Sequence, residues 1–258
     1  MRKIEVFKRH LREKRAIKVI SGINNYNLTL VKKVATAAQA GLASAVDVAA
    51  TPEVIKVAKA NTNLPIFASS INPFALLSAV KCGADAVEIG NYEAYYKQGR
   101  SLTADEVYDI TLETMNLVSK FNTFICVTIP GVIPVEEQIE LAKKLELLGV
   151  DLIQTESVAS LAQKARGAMG LIEVAKNTIA NTMELARNVD TPIMSASGLT
   201  TNTVPMAFAA GASAVGVGSA INKLDSQIAM VAAVRSIVGS IAYRNTIMQA
   251  VKENTFVF

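Results

Sequence analysis

One histidine, His10, is all the imidazole this sequence offers, and that scarcity removes a large part of enzyme chemistry at once. No Ser/His or Cys/His pair can be assembled at a distance from the N-terminus, and no serine stands in a G-x-S-x-G turn, which excludes hydrolysis by an activated nucleophile. Cysteine is as sparse. Cys82 and Cys126 lie 44 positions apart with no C-x-x-C spacing, which excludes a zinc cluster and fits a reducing compartment. Tryptophan is absent, aromatics make up only 5% of the chain, and no stripe of arginine interleaved with aromatics is seen, so a nucleic-acid surface is not expected. No apolar run reaches the roughly twenty residues that a membrane span needs. Charges spread from Met1 to Lys14 leave no apolar core for a signal peptide, and Glu5 and Glu13 speak against a transit peptide. No Pro/Gly/Ser-rich linker divides the chain, so residues 1–258 are expected to form one domain.

Charge is also unevenly spread. Net charge is +4, yet the first eighteen residues hold Arg2, Lys3, Lys8, Arg9, Arg12, Lys14, Arg15 and Lys18 against Glu5 and Glu13, so this segment is +6 and the remainder −2. The basic pI therefore comes from one amphipathic helix over residues 1–15. We read it as a solvated face packed across one end of the fold, in preference to a nucleic-acid or membrane contact. Self-association is left open.

What the sequence has in abundance is short apolar runs, in a chain that is 51% hydrophobic. Strands are predicted at 17–21, 45–49, 65–70, 85–89, 123–129, 150–155, 192–197 and 213–218, each running into turn residues and then a helix. Helix starts are marked by Asn27, by Thr51-Pro52, by Asn72-Pro73 and by the capping box Thr103 to Glu106. A helix over 201–210 ends at Gly211, and the long segment 156–170 is expected to hold a short helix or a lid. Eight alternating units call for a parallel sheet closed into a (β/α)8 barrel, an α/β single domain with an extra N-terminal helix. An internal repeat agrees. Gly83-Ala84-Asp85-Ala86-Val87-Glu88 matches Gly149-Val150-Asp151-Leu152-Ile153-Gln154 and Gly211-Ala212-Ser213-Ala214-Val215-Gly216, and Gly41 to Asp47 fits with one extra residue.

The repeat predicts which side chains face the lumen. If Val46, Val87, Ile153 and Val215 lie under the helices, Asp47, Glu88, Gln154 and Gly216 form one inward layer, with Ala49, Gly90, Glu156 and Gly218 a layer higher. Carboxylates pointing into an apolar barrel are costly unless paired or functional. Lys18 is their natural counter-ion, and it faces inward if Ile17 and Val19 face the helices. Lys18, Asp47, Glu88 and Glu156 are thus the candidate catalytic residues, as acids, bases or a Schiff-base lysine. The competing readings are an interior ion-pair cluster that does not react and a magnesium site made of carboxylates.

At the C-terminal ends of the last two strands, Ser197-Gly198-Leu199 and Gly218-Ser219-Ala220 bring glycine-rich turns together. Free backbone N–H groups there suit a phosphate, and the commonest phosphate site in such barrels follows strands seven and eight. Ser197 and Ser219 would add hydroxyl donors, with Lys223 the one cation close in sequence. Asn24 and Asn25 follow strand one, either as substrate-loop residues or as turn formers. Tyr92, Tyr95 and Tyr96 in the fourth loop either stack on a ligand or cover the mouth.

Lys18-Val19-Ile20-Ser21-Gly22-Ile23-Asn24-Asn25-Tyr26, Asp47-Val48-Ala49-Ala50, Val87-Glu88-Ile89-Gly90-Asn91-Tyr92, Val127-Thr128-Ile129-Pro130 and Ile153-Gln154-Thr155-Glu156 together resemble the hypothetical chloroplast open reading frame twenty-three family of algal plastids and cyanobacteria. The resemblance spans nearly the whole chain. It implies a ribulose-phosphate-binding type barrel, located in the plastid stroma or the cyanobacterial cytoplasm, and it implies no established activity. Three functions follow as expectations: an isomerase or lyase of a small phosphorylated metabolite, a non-catalytic sensor or scaffold for such a ligand, and an oxidoreductase holding flavin mononucleotide (FMN). Neither FMN nor magnesium is required by the residues.

Overall fold

The short apolar runs between turn residues become strands because both faces of each are covered, one by helices and one by the lumen. The structure is a computed structural model, and it describes residues 3–90, 92–96, 98–157 and 167–254, with backbone alone for 242–254. The strands are β1 (Ala16–Ile20), β2 (Ala45–Ala49), β3 (Ile66–Ser70), β4 (Ala86–Ile89), β5 (Phe124–Thr128), β6 (Leu152–Gln154), β7 (Ile193–Ala196) and β8 (Ala214–Val217). Every neighbouring pair is parallel, and β8 returns to pair with β1, which closes a barrel in chain order.

Around it run α1 (Lys3–Arg12), α2 (Leu28–Ala40), α3 (Pro52–Asn61), α4 (Pro73–Lys81), α5 (Glu93–Tyr96), α6 (Ala104–Val118), α7 (Val135–Leu148), α8 (Gly167–Asn188), α9 (Val204–Ala209), α10 (Ser219–Asn222) and α11 (Gln227–Asn254). Asn27 caps α2 through the Leu30 N–H, Asn72 caps α4, and Thr103 and Glu106 cap one another at α6. Thr51 stands at the N-cap of α3 without a side-chain bond, because proline at the next position removes one of the donors such a cap would serve. The helix expected over 201–210 is shorter. Thr200 donates its N–H to Thr203 Oγ1, a local turn that competes with helix until Val204. Of the segment 156–170, α8 begins at Gly167, and residues 158–166 lie outside the described part, as does Asn91.

The internal repeat has a physical basis. Asp85 Oδ2 accepts the Ile66 N–H at 3.0 Å, Asp151 Oδ2 accepts the Ile125 N–H at 2.8 Å, and Ser44 Oγ accepts the Ile17 N–H at 3.0 Å. Each is the residue just before an even strand, and each satisfies the entry of the preceding odd strand.

The same residues anchor α1. Lys8 pairs with Asp151 at 3.9 Å, and His10 Nδ1 lies 2.8 Å from Ser44 Oγ. Ile4, Phe7 and Leu11 turn the apolar face of α1 into the barrel bottom, where Phe7 meets Phe67 and Phe124 edge-on at 5.0 and 5.8 Å between centroids. The basic face is what remains outside. Phe7 is fully buried, so Phe7→Ala should cost about 3–5 kcal/mol, the range for a large cavity in a packed core. A guanidinium midpoint within experimental scatter of wild type would show that α1 is not part of the cooperative core.

Candidate functional site

Above the phenylalanine plug the lumen is polar. Lys18, Asp47 and Glu88 are wholly buried. Lys18 points inward, because Ile17 and Val19 pack under the helices. Its ammonium donates to Glu88 Oε2 and lies 5.1 Å from the Phe67 ring centroid. Glu88 Oε1 accepts from Gln154 Nε2 at 2.8 Å and from Thr128 Oγ1 at 3.4 Å, while Gln154 Nε2 also donates to Thr128 Oγ1 at 2.9 Å. Asp47 accepts from the Ser69 hydroxyl. The inward layer of Asp47, Glu88, Gln154 and Gly216 is thus occupied as the strand alternation requires, and Ser69 and Thr128 enter from odd strands that sequence reading passed over. Their signal was period two along β3 and β5. Cys126 lies beside this layer, where burial pushes its thiol up to about 12, partly opposed by Lys18. It is a buried core residue.

Glu156 goes elsewhere. Its carboxylate accepts the Glu93 N–H at 3.0 Å and the Tyr96 hydroxyl at 2.8 Å, tying α5 down over β6. Tyr92, fully buried, donates its hydroxyl to the Thr128 carbonyl at 3.0 Å. Tyr92 and Tyr96 therefore cover the β4 to β6 half of the mouth. Burial raises the Glu156 pKa to about 7, against the hydrogen bonds from Tyr96, Glu93 and Tyr92 that favour the charged form. Burial and the nearby Glu156 charge raise Tyr96 as well.

The opposite half of the mouth is open. A cavity of about 760 Å³ lies between the ends of β1, β7 and β8. β1 contributes Ile20, Ser21, Gly22, Ile23, Asn24 and Asn25; β7 contributes Ala196, Ser197, Gly198 and Leu199; β8 contributes Gly216, Gly218, Ser219, Asn222 and Lys223; and Glu93 and Ala94 reach in from α5. Ala220 is not part of this lining and packs against the core. Asn25 is committed to its own turn, donating to Ser21 Oγ at 2.8 Å and accepting from the Asn27 N–H at 3.1 Å. Asn24 is exposed. Asn222 was missed from sequence: its amide donates to the Ile20 and Ser21 carbonyls at 3.0 and 3.3 Å and braces β1 against α10.

The two glycine turns differ in why they need glycine. At Gly198, φ is +69°, and a Cβ would stand 2.8 Å from the Val174 carbonyl oxygen, so the fold itself demands glycine. Ser197 beside it also holds a positive φ of 80°, a strained conformation for a non-glycine residue. At Gly218, φ is −109°, and a Cβ would meet nothing closer than 3.6 Å. Among the described residues no contact crowds a Cβ there. The Gly198 and Leu199 N–H groups donate to no other group among the described residues. α9 and α10 span six and four residues, so any attraction for an anion comes from individual N–H groups and Lys223, not from long helix dipoles. Among the described residues no set of three or more His, Cys, Asp or Glu side chains could hold a metal ion. The Lys18 ammonium stands against Glu88 where a cation would otherwise sit.

Fold and cavity together define a (β/α)8 barrel with a cavity at one side of its C-terminal mouth. The chain belongs to the family described as protein of unknown function DUF561, which it matches over residues 2–247. It is 41% identical over 238 residues to the uncharacterized protein ycf23 of Cyanophora paradoxa, covering 90% of this chain and 95% of that one. Relatives of that name are encoded in algal plastid genomes, and no helix among the described residues is long and apolar enough to cross a membrane. Among solved structures the fold matches 3-hexulose-6-phosphate synthase from Salmonella typhimurium, with TM-score 0.63 and 14% identity over 88% of this chain and 99% of that one. It also matches (S)-3-O-geranylgeranylglyceryl phosphate synthase from Thermoplasma acidophilum in complex with sn-glycerol-1-phosphate, with TM-score 0.62 and 16% identity over 92% and 98%.

Two consequences can be measured. A carboxyl with a folded pKa raised from 4.5 to about 7 favours folding fully below its unfolded pKa, and loses that contribution as pH rises through about 7. Relative to Glu156→Gln, wild type should lose stability between about pH 5 and 8, by at most about 3 kcal/mol. Parallel urea curves at all pH values would contradict this. For the ion pair, Lys18→Met alone should cost about 3–5 kcal/mol because Glu88 loses its cation, and Lys18→Met with Glu88→Gln should recover much of that loss. A strictly additive double-mutant cycle would mean that the two charges are not coupled.

Proposed function

We propose that the protein binds a small phosphorylated metabolite in the cavity between β1, β7 and β8, with the phosphate held by the N–H groups of Gly198, Leu199 and Ser219 and by Lys223. Ser197 and Ser219 add hydroxyl donors, and Ala220, set back from the lining, contributes its N–H at most. The observation that carries this reading is Gly218, a glycine that lines the cavity and where no described residue crowds the place of a Cβ. A ligand lying against main chain supplies the missing reason. The neighbours of the same fold whose titles name a 6-phosphate synthase and a bound glycerol phosphate support the choice of phosphate.

Beyond binding, two readings divide. In the first, the protein is an isomerase or lyase in which Glu88 and Asp47 move protons, Lys18 polarises a carbonyl and Glu156 holds the far side of the mouth. In the second, it is a sensor or scaffold. One observation favours the second: Lys18, Asp47 and Glu88 are fully buried beneath the cavity floor and none of them lines it. The FMN reading draws no support from the lining, which among the described residues contains no aromatic side chain for the isoalloxazine ring.

Inorganic phosphate should raise the melting temperature by mass action, about 2.7 kcal/mol of stabilisation at a hundred times Kd. Gly218→Asp, whose Cβ meets only ordinary contacts, should fold and lose that response, because its carboxylate occupies the phosphate position. A response that survives Gly218→Asp, or that disappears instead on neutralising Arg9 and Arg12 of α1, would place the anion elsewhere and overturn the assignment.

A further inference from the structure

The end of the barrel opposite the cavity carries charge and apolar side chains together. α1 turns Ile4, Phe7 and Leu11 into the barrel bottom and leaves Arg9, Arg12 and Lys14 exposed. Lys120, just ahead of β5, is exposed at the same end. Against these stand the exposed acids Glu13, which pairs with Arg15, and Asp190. The face is therefore basic.

Three large apolar side chains stand out from the same end: Leu147 is 88% exposed, Leu42 71% and Phe121 44%. Their places relative to α1 follow from its contacts. Leu42 lies two residues before Ser44, which meets His10, and Leu147 lies four residues before Asp151, which meets Lys8. Phe121 lies three residues before Phe124, whose ring centroid is 5.5 Å from the Lys8 ammonium. Successive residues of a helix turn by about 100°, so Lys8 and His10 leave α1 on nearly opposite sides. Leu42 thus flanks one side of the basic helix, and Phe121 and Leu147 flank the other. Leu42 also holds a φ of 68°, the left-handed region that a leucine enters only at a cost. Asparagine or glycine would relieve both the strain and the exposure. A solvated basic face needs none of these three side chains, whereas a face that meets an apolar layer does.

We infer that this face rests on an anionic membrane surface, with Arg9, Arg12, Lys14 and Lys120 over the lipid headgroups and Leu42, Phe121 and Leu147 entering the acyl boundary. Such a contact lies in the interface and needs no spanning helix, and none of the described helices is long and apolar enough to span. A nucleic-acid backbone would use the cations and leave both leucines in water. A protein partner is met by one contiguous patch, but these side chains stand on two sides of α1, and a fluid apolar layer accepts each of them separately. The mouth of the barrel, at the other ends of the strands, then faces away from the lipid and stays open to the aqueous phase.

The test uses vesicles of phosphatidylglycerol and phosphatidylcholine in equal parts, with pure phosphatidylcholine as the control. Wild type should sediment with the anionic vesicles, less so as salt rises, and not with the control. Arg9→Gln combined with Arg12→Gln should weaken binding at least about tenfold. Leu42→Asn combined with Phe121→Ser and Leu147→Ser should weaken it at least about tenfold with every cation kept. If that triple variant melts without cooperativity, Leu42→Asn with Leu147→Ser carries the same test, because both side chains are mostly exposed. The chain has no tryptophan, so Leu147→Trp gives a single reporter whose emission should shift to the blue on the anionic vesicles alone. No sedimentation with anionic vesicles at low salt, or binding undiminished in the apolar variants, would overturn the inference. A DNA or RNA duplex that displaces the vesicles and binds the apolar variants as tightly as wild type would overturn it too, and would assign the face to nucleic acid.

Discussion

A closed barrel must fill its own lumen, and most of what distinguishes this protein follows from how it does so. Apolar side chains do the filling at the bottom, where Phe7 enters from outside to complete an edge-on trio with Phe67 and Phe124. One layer up, the lumen holds a full ionic interaction, Lys18 on Glu88, with Gln154, Thr128, Asp47 and Ser69 around it. Taking those charges out of water is expensive, and hydrophobic residues of similar volume would serve stability as well or better. These residues specify one register of charge and hydrogen bonding across six strands.

The mouth is built asymmetrically on that network. On the β4 to β6 side, α5 is pulled inward by Glu156, and two tyrosines close the surface. On the β8, β1 and β7 side the inward positions are Gly216, Gly218, Ile20 and Ala196, which leave volume unfilled. One half of the barrel top is therefore protein against protein, and the other holds a cavity among the described residues. The buried charges of Lys18, Asp47 and Glu88 lie below the mouth, and none of them lines the cavity.

Much of this was legible in the chain. The eight units, the N-terminal plug and the inward layer of Asp47, Glu88, Gln154 and Gly216 are all consequences of local rules. Two-residue alternation sorts lumen from helix side along each strand. Turn and cap residues such as Asn27, Asn72 and the Thr103–Glu106 pair end one element and begin the next. The repeat at Ser44, Asp85 and Asp151 records one hydrogen bond made over and over at strand entries. Lys18 could be assigned to the lumen because Ile17 and Val19 are better suited to the helix side.

Which inward groups touch which was decided by closure alone. Glu88 and Glu156 look alike in sequence, two carboxylates at repeat-related strand ends, yet one is paired with Lys18 across the barrel and the other is captured by Tyr96 from a neighbouring loop. Gly198 and Gly218 look alike as turn glycines, yet only Gly198 is pressed against a helix backbone, at Val174. That Gln154 Oε1 has no hydrogen-bond partner among the described residues is likewise invisible in the chain, since it depends on Glu88 and Thr128 arriving from two other strands. The sequence by itself determined the strands, their inward faces and the plug, because those depend on neighbours within a few residues. The tertiary structure decided the ion pair, the sealed and open halves of the mouth and the unsatisfied acceptor, because those depend on the stagger and closure of strands up to two hundred residues apart.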